Sequence, residues 1–199
     1  SSVTDPYQGF EAKYKLTRRC LEVLVDYKFE GTVGILTKSP LVLRGIDIFV
    51  KLKNPDVGLT ITSTDDSISR YFEKNAPNVS ERFKALKELN KNSIPTYAFV
   101  GPLLPHFVNE EGMLDELFKR IKDAGTSEVY VEDINLRKYI LERFLHEMKD
   151  IEPAILEKFY LSKNKSYRDE LNILIDNLVK KYDLKIRLGG TIYHNEEKN

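Results

Sequence analysis

Residues 33–38 read Val-Gly-Ile-Leu-Thr-Lys, a short apolar run that ends on a lysine and is stopped by Pro40. Apolar residues on consecutive positions, over so few residues, are the pattern of a parallel strand buried on both faces. Working outward, the same signal returns at 57–64 (VGLTITST), 95–100 (PTYAFV) and 128–132 (EVYVE). Between these runs the apolar spacing changes to that of helices. Residues 43–53 predict one, followed by an Asn54-Pro55 turn. Residues 80–92 predict another, with Ser80 as N-cap and Phe83, Leu86 and Leu89 on one face. A third spans 110–124 through Met113, Leu117 and Ile121 and is closed by Gly125. Ahead of the first run, Phe10, Tyr14, Leu21, Leu24 and Val25 predict a single helix over 8–29, with Gly31 as its stop. Strands alternating with helices imply an α/β protein with a parallel sheet. The spacing alone does not separate a barrel from an open doubly wound sheet.

After Asn135 the rhythm changes. Residues 137–161 and 166–182 read as two longer helices, the second with a Ser166/Asp169 capping signal, and 184–188 as a possible last strand. The expected organisation is a core over 1–137 and a C-terminal helical extension over 138–199.

The 199 residues suit one domain. Lys+Arg and Asp+Glu are equal at 31 each, so no global charge draws the chain toward nucleic acid or an anionic membrane. No run approaches the roughly 18 apolar residues of a membrane span, and the expected location is the cytoplasm. Nothing in the sequence sets an oligomeric state. The single cysteine, Cys20, excludes an intrachain disulfide, a CxxC pair and a cysteine-held cluster. It lies in an amphipathic pattern and is expected to be a buried small hydrophobe. The opening Ser1-Ser2-Val3-Thr4-Asp5 reads as the end of a strand, from which preceding polypeptide is expected.

In a parallel sheet or barrel the chemistry sits at the carboxyl ends of the strands. Thr4, Asp5 and Tyr7 stand there first, with Glu11 one turn on. Thr37, Lys38 and Ser39 follow the next strand, then Thr62, Ser63, Asp65, Asp66, Arg70 and Glu73, then Gly101, Pro102 and His106, then Glu132, Asp133, Asn135 and Arg137. Each has a purely structural reading. Asp65 and Asp66 suit a helix cap, Arg70 and Glu73 a surface ion pair, and Asp5 a turn before proline. Lys38 says more, because an ammonium closing a buried strand needs a carboxylate, a phosphate or water. Tyr97, Phe99 and Tyr130 can stack on a planar base, although such aromatics more often fill a core. No GxGxxG, Walker or GxSxG motif occurs, and the three histidines lack metal-ligand spacing; His146 reads as a packing residue.

Taken together, the rim residues resemble a known family. Val3-Thr4-Asp5-Pro6-Tyr7-Gln8 with Glu11 and Lys15-Leu16-Thr17-Arg18, then ILTKSPLVLRGIDIF (35–49), ITSTDDSISRYFEKNAPNVSERFKALKEL (61–89), IPTYAFVGPLLP (94–105) and EVYVEDINLR (128–137), are similar in content and order to the spore photoproduct lyase-like branch of the radical S-adenosylmethionine superfamily. The resemblance covers residues 1 to about 137. It implies a partial (β/α) TIM-type barrel of parallel strands with C-terminal helices. It also implies a CxxxCxxC loop holding a [4Fe-4S] cluster, S-adenosylmethionine as the second cofactor, and reductive cleavage of that cofactor to a radical that attacks substrate, nucleic acid in the best-known members.

By position, the resemblance puts Thr4 and Asp5 at the methionyl amine and Lys38 at the methionyl carboxylate. Ser63, Arg70 and Glu73 fall at the ribose and carboxylate, and Gly101, Pro102, Glu132 and Asn135 at the adenine and substrate end. Two departures stand out. The cysteine loop is not in this chain, so this chain alone is expected to be inactive in the cleavage. Gly45 replaces the Asp usual in the family (RGID for RDID). Two other readings stand beside this one: a barrel retained for binding or scaffolding, and an unrelated barrel enzyme using Lys38 on a phosphorylated or carbonyl substrate.

Overall fold

In a computed structural model of the chain, residues 4–137, 142, 145–147 and 152–194 are described. Five strands form one parallel sheet in sequence order: β1 (Thr32–Thr37), β2 (Asn54–Ile61), β3 (Thr96–Leu103), β4 (Glu128–Asp133) and β5 (Lys185–Ile186). Every pairing is parallel. The sheet curls into an open, partial barrel.

Register decides which side chains meet. Leu36, Gly58, Tyr97 and Glu128 lie in one row across β1 to β4 and face the concave side. The alternate residues Ile35, Val57, Leu59, Ile61, Ala98, Val100, Val129 and Val131 are buried against the helices. Full burial of a residue such as Leu59 or Ile61 contributes about 1.5–3 kcal/mol each, so this convex face is where the fold gains most of its stability.

The described helices are α1 (Glu11–Tyr14), α2 (Leu16–Asp26), α3 (Ile46–Phe49), α4 (Asp66–Phe72), α5 (Val79–Lys91), α6 (Glu111–Asp123), α7 (Pro153–Leu161) and α8 (Lys165–Lys181). α5 buries Val79, Phe83, Leu86 and Leu89 on the sheet, and α6 buries Leu114, Leu117, Phe118 and Ile121. α8 packs on α6 through Leu171, Ile175 and Leu178. None of the described helices is long and apolar enough to cross a membrane.

Several local expectations are corrected. The single helix over 8–29 is two, because Lys15 adopts a left-handed conformation (φ 51°, ψ 38°) between α1 and α2. That kink turns Phe10, Tyr14 and Leu16 outward, and Cys20 is exposed rather than buried. The helix expected over 43–53 is a 3-10 turn (Pro40–Gly45) followed by the short α3. Asn54 and Pro55 open β2 rather than form a turn. Pro is tolerated there because it occupies the first positions of a strand. The residue at the N-cap of α5 is Asn78; Ser80 instead donates through N and Oγ to the Asp66 carboxylate, at 2.9 and 2.6 Å. α8 starts from Asn164 without a side-chain cap. His146 is exposed, and much of the helix expected over 137–161 lies outside the described residues.

Candidate functional site

The carboxyl end of β1 faces a cavity of about 860 Å³, bounded by Asp5, residues 7–9, 38–41 and 72–77 together with Arg44 and Glu81. Five of the residues singled out from sequence line it: Asp5, Tyr7, Lys38, Ser39 and Glu73.

Asp5 acts as a latch. Its Oδ1 accepts from the Tyr7 amide at 2.8 Å and the Thr37 hydroxyl at 2.5 Å, and its Oδ2 accepts from the Lys38 amide at 2.7 Å. These bonds fasten the segment leading into α1 to the end of β1. They also fix the backbone of Lys38, so the ammonium leaves the strand toward the cavity. Lys38 Nζ lies 2.6 Å from Glu73 Oε1 and is 39% exposed, whereas Glu73 is 11% exposed.

Glu73 ends α4 and is held from behind by Arg82. The arginine is fully buried and donates from Nη2 to Glu73 Oε2 at 2.6 Å, from Nη1 to the Thr60 carbonyl at 3.1 Å, and from Nε to the Pro77 carbonyl at 3.0 Å. Thr62 and Ser69 hydroxyls add bonds to the same Glu73 oxygen. Burial alone would raise the Glu73 carboxyl, but Lys38 and Arg82 outweigh it and hold it below its ordinary range. Glu73 is therefore ionised and shared between two cations, with the Asp5 carboxylate on the same wall.

The other residues singled out from sequence lie elsewhere on the rim. Thr4 is exposed and is not part of the cavity. Ser63 is buried and closes a local turn with Asp65, bordering a separate recess of about 160 Å³ beside Phe107 and Met113. Arg70 is exposed and donates to Asn78 at 2.5 Å rather than pairing with Glu73. Gly101 and Pro102, joined by a cis peptide, end β3. A Cβ on Gly101 would stand 2.8 Å from Glu132 Cβ, so only glycine allows β3 and β4 to approach there. Glu132 pairs with His194 at 3.0 Å, and Asn135 accepts from the Arg137 amide at 3.2 Å. The aromatics expected at strand ends pack on one another: Tyr97 and Tyr130 meet edge-on at 5.2 Å, and Arg187 lies over both rings.

Arg82 is the residue sequence reasoning passed over. Arg82 carried a signal: it stands among Val79, Phe83, Leu86 and Leu89, and a cation inside an apolar stripe requires a buried carboxylate. Among the described residues, no group of three or more His, Cys, Asp or Glu could hold a metal ion.

Comparison with known proteins gives relatives and a fold. No protein-family model matches the chain. Over 191 residues it is 34% identical to the protein MJ0683 of Methanocaldococcus jannaschii, covering 94% of this chain and 67% of that one. Among solved structures it resembles a spore photoproduct lyase variant, with a TM-score of 0.69 at 12% identity, over 89% of this chain and 56% of the lyase. It also resembles Streptococcus suis SuiB bound to the precursor peptide SuiA, with a TM-score of 0.59 at 12% identity, over 92% of this chain and 36% of SuiB. Another structure of the lyase holds S-adenosylmethionine and a dinucleoside spore photoproduct. At these identities the structural likeness establishes the fold: a partial barrel of the kind the rim motifs resemble. The chain spans just over half of the lyase it matches.

Proposed function

This chain belongs to the family of the Methanocaldococcus jannaschii protein MJ0683, and from that footing we propose that it is the S-adenosylmethionine-binding part of a radical S-adenosylmethionine enzyme. The observation that carries the reading is Lys38, an ammonium presented by the carboxyl end of β1 to a cavity of about 860 Å³. That volume lies within the roughly 300–1,000 Å³ of small-molecule sites. In this reading Lys38 takes the methionyl carboxylate, exchanging part of its pairing with Glu73 for the ligand. Asp5 keeps the strand end in place, and Arg82 keeps Glu73 ionised and fixed. S-Adenosylmethionine, when bound in such enzymes, supplies the carbon–sulfur bond that is cleaved.

The iron–sulfur cluster does not fit this chain. Its one cysteine cannot replace three. The residues here bind and orient; no electron-transfer step is assigned to them. A nucleic-acid substrate belongs to the same proposal and rests on the lyase solved with a dinucleoside photoproduct.

The reading of Lys38 as a Schiff-base nucleophile is disfavoured by its surroundings. Such lysines are desolvated or set beside another cation, whereas Lys38 is partly exposed and paired with a carboxylate.

Calorimetric titration of the chain with S-adenosylmethionine tests the proposal. Saturable binding is expected, weakened by Lys38→Gln roughly 10- to 100-fold, the loss of one charge-assisted contact of about 1.5–3 kcal/mol. Absence of binding, or equal binding by the variant, overturns the assignment. Anaerobic iron and sulfide reconstitution of the longer MJ0683, read by thiolate-to-iron absorbance, separately tests the family's cluster.

A further inference from the structure

Beside the main cavity, under the 3-10 turn after β1, lies a second recess of about 210 Å³. Its wall is made by Tyr7, Glu11, Lys15, Arg18, Arg44 and Gly45, with Leu41. At ~30 Å³ per water this holds roughly seven waters, enough for a small oxyanion and part of its hydration.

The charges of this recess divide into those already engaged and those not. Glu11 is engaged: its two oxygens accept from the Thr17 and Arg18 amides at the start of α2, each at 3.1 Å. Arg18 is engaged by Asp47 at 2.6 Å and Glu22 at 3.0 Å. Arg44 donates only to the Ala12 carbonyl, at 3.1 Å. Among the described residues, neither Arg44 nor Lys15 has a carboxylate partner.

The floor carries a second, independent feature. Tyr7 is 3% exposed, and among the described residues its hydroxyl has no hydrogen-bond partner. A buried hydroxyl left so carries a desolvation cost that an incoming acceptor would recover. Burial, then the nearby Glu11, raise the Tyr7 phenol above its ordinary value, so it keeps its proton and remains a donor. Gly45 packs against it: a Cβ there would stand 3.1 Å from the Tyr7 oxygen and 2.7 Å from the Phe49 ring, so the wall beside the hydroxyl has no room for a side chain.

We propose that this recess is a phosphate-type oxyanion subsite, in which Lys15 and Arg44 supply the charge and the Tyr7 hydroxyl donates to the anion. Two uncommitted cations and a neutral donor suit the several oxygens of a phosphate group, whether a dianion or a monoanionic diester. The subsite does not rest on the cofactor reading of the larger cavity, and its test uses no S-adenosylmethionine. The phosphate is either free or part of a nucleic-acid chain, and the experiment separates these sources.

The chain is titrated by calorimetry, in chloride buffer of low ionic strength, with inorganic phosphate and separately with a short single-stranded oligonucleotide lacking terminal phosphates. Saturable binding of inorganic phosphate, competed by sulfate and weakened about tenfold by Tyr7→Phe and again by Lys15→Gln, supports a site for a free or terminal phosphate. Binding of the oligonucleotide with the same dependence on Tyr7 and Lys15 supports a site for a backbone diester. Lys15 is exposed, so Lys15→Gln is expected to fold and its result stands if Tyr7→Phe is unstable. Absence of saturable binding by either probe, or binding indifferent to both substitutions, overturns the proposal.

Discussion

Arg82 and Arg187 are both drawn inside the molecule, and they meet their carboxylates in opposite ways. At the floor of the half-barrel Arg187 is saturated. It bonds both oxygens of Asp56, at 2.7 and 2.8 Å, and Glu128 at 2.6 Å, while its guanidinium plane lies over Tyr97 and Tyr130. At the mouth the count is reversed. One carboxylate, Glu73, serves two cations, and the less buried of them, Lys38, faces the cavity. A network with every charge answered is a fastening. A cation that shares its carboxylate with another and opens on a cavity is what the proposed anion site rests on. On that proposal the contrast distinguishes a fastening from a binding group.

The comparison is tested hardest at Arg82. Arg82→Met leaves Glu73 without its buried partner and strips hydrogen bonds from two carbonyls, and is expected to cost about 3–5 kcal/mol in chemical denaturation. A cost below about 1 kcal/mol would show that Glu73 is supported by Lys38 alone. Asp133 sharpens the contrast from the other side, as a buried carboxylate with too little positive charge. It is 2% exposed, its Oδ1 has no partner among the described residues, and Arg168 Nε stands 3.9 Å from Oδ2. Burial raises its pKa to about 6 from 3.8. The folded protein therefore holds this proton where the unfolded chain has lost it, and stability falls as pH rises from about 4 to about 6. Asp133→Asn should gain about 2 kcal/mol over the unsubstituted chain at neutral pH, because each tenfold change in proton affinity is worth about 1.4 kcal/mol, less the weak Arg168 pairing. The gain should vanish near pH 4, read by melting across the pH series.

At the floor, Arg187→Met is expected to cost about 1–2 kcal/mol, because Asp56 and Glu128 can rehydrate at the open end. It should leave anion binding at the mouth unchanged. The smallest stability effect belongs to Lys38→Gln, below about 1 kcal/mol for a partly exposed pair. That substitution should nevertheless have the largest effect on S-adenosylmethionine titration. If it destabilised the fold as much as Arg82→Met, Lys38 would be a fastening too, and the distinction would fail.

The strands were legible because apolar and β-branched residues run together in each, and 33–38, 57–64, 95–100 and 128–132 each mark a strand to within a few residues; the burial on two faces expected for 33–38 holds for β2 and β3, whereas β1, at the edge of the sheet, alternates buried and exposed residues. The break at Lys15 was not. Phe10 and Tyr14 keep helical spacing with Leu21 and Leu24, and nothing in a lysine announces a left-handed backbone. Cys20 followed from that error: once the helix is split, its face turns to solvent. In the site, Lys38 could be read from its place after a strand, and Glu73 only as a member of the rim. Their meeting depends on Arg82, whose signal was a charge among apolar neighbours rather than any motif. Arg187 gave no local sign, because its partners lie on β2 and β4.

Asp56 and Arg187 are separated by 131 residues. Their loop can close only once β2, β3 and β4 have aligned the ring platform and the Glu128 carboxylate. The floor is then expected to assemble late, so substitutions at Arg187 should accelerate unfolding while leaving the refolding rate nearly untouched. In that case the C-terminal segment sets the lifetime of the native barrel rather than the speed at which it forms.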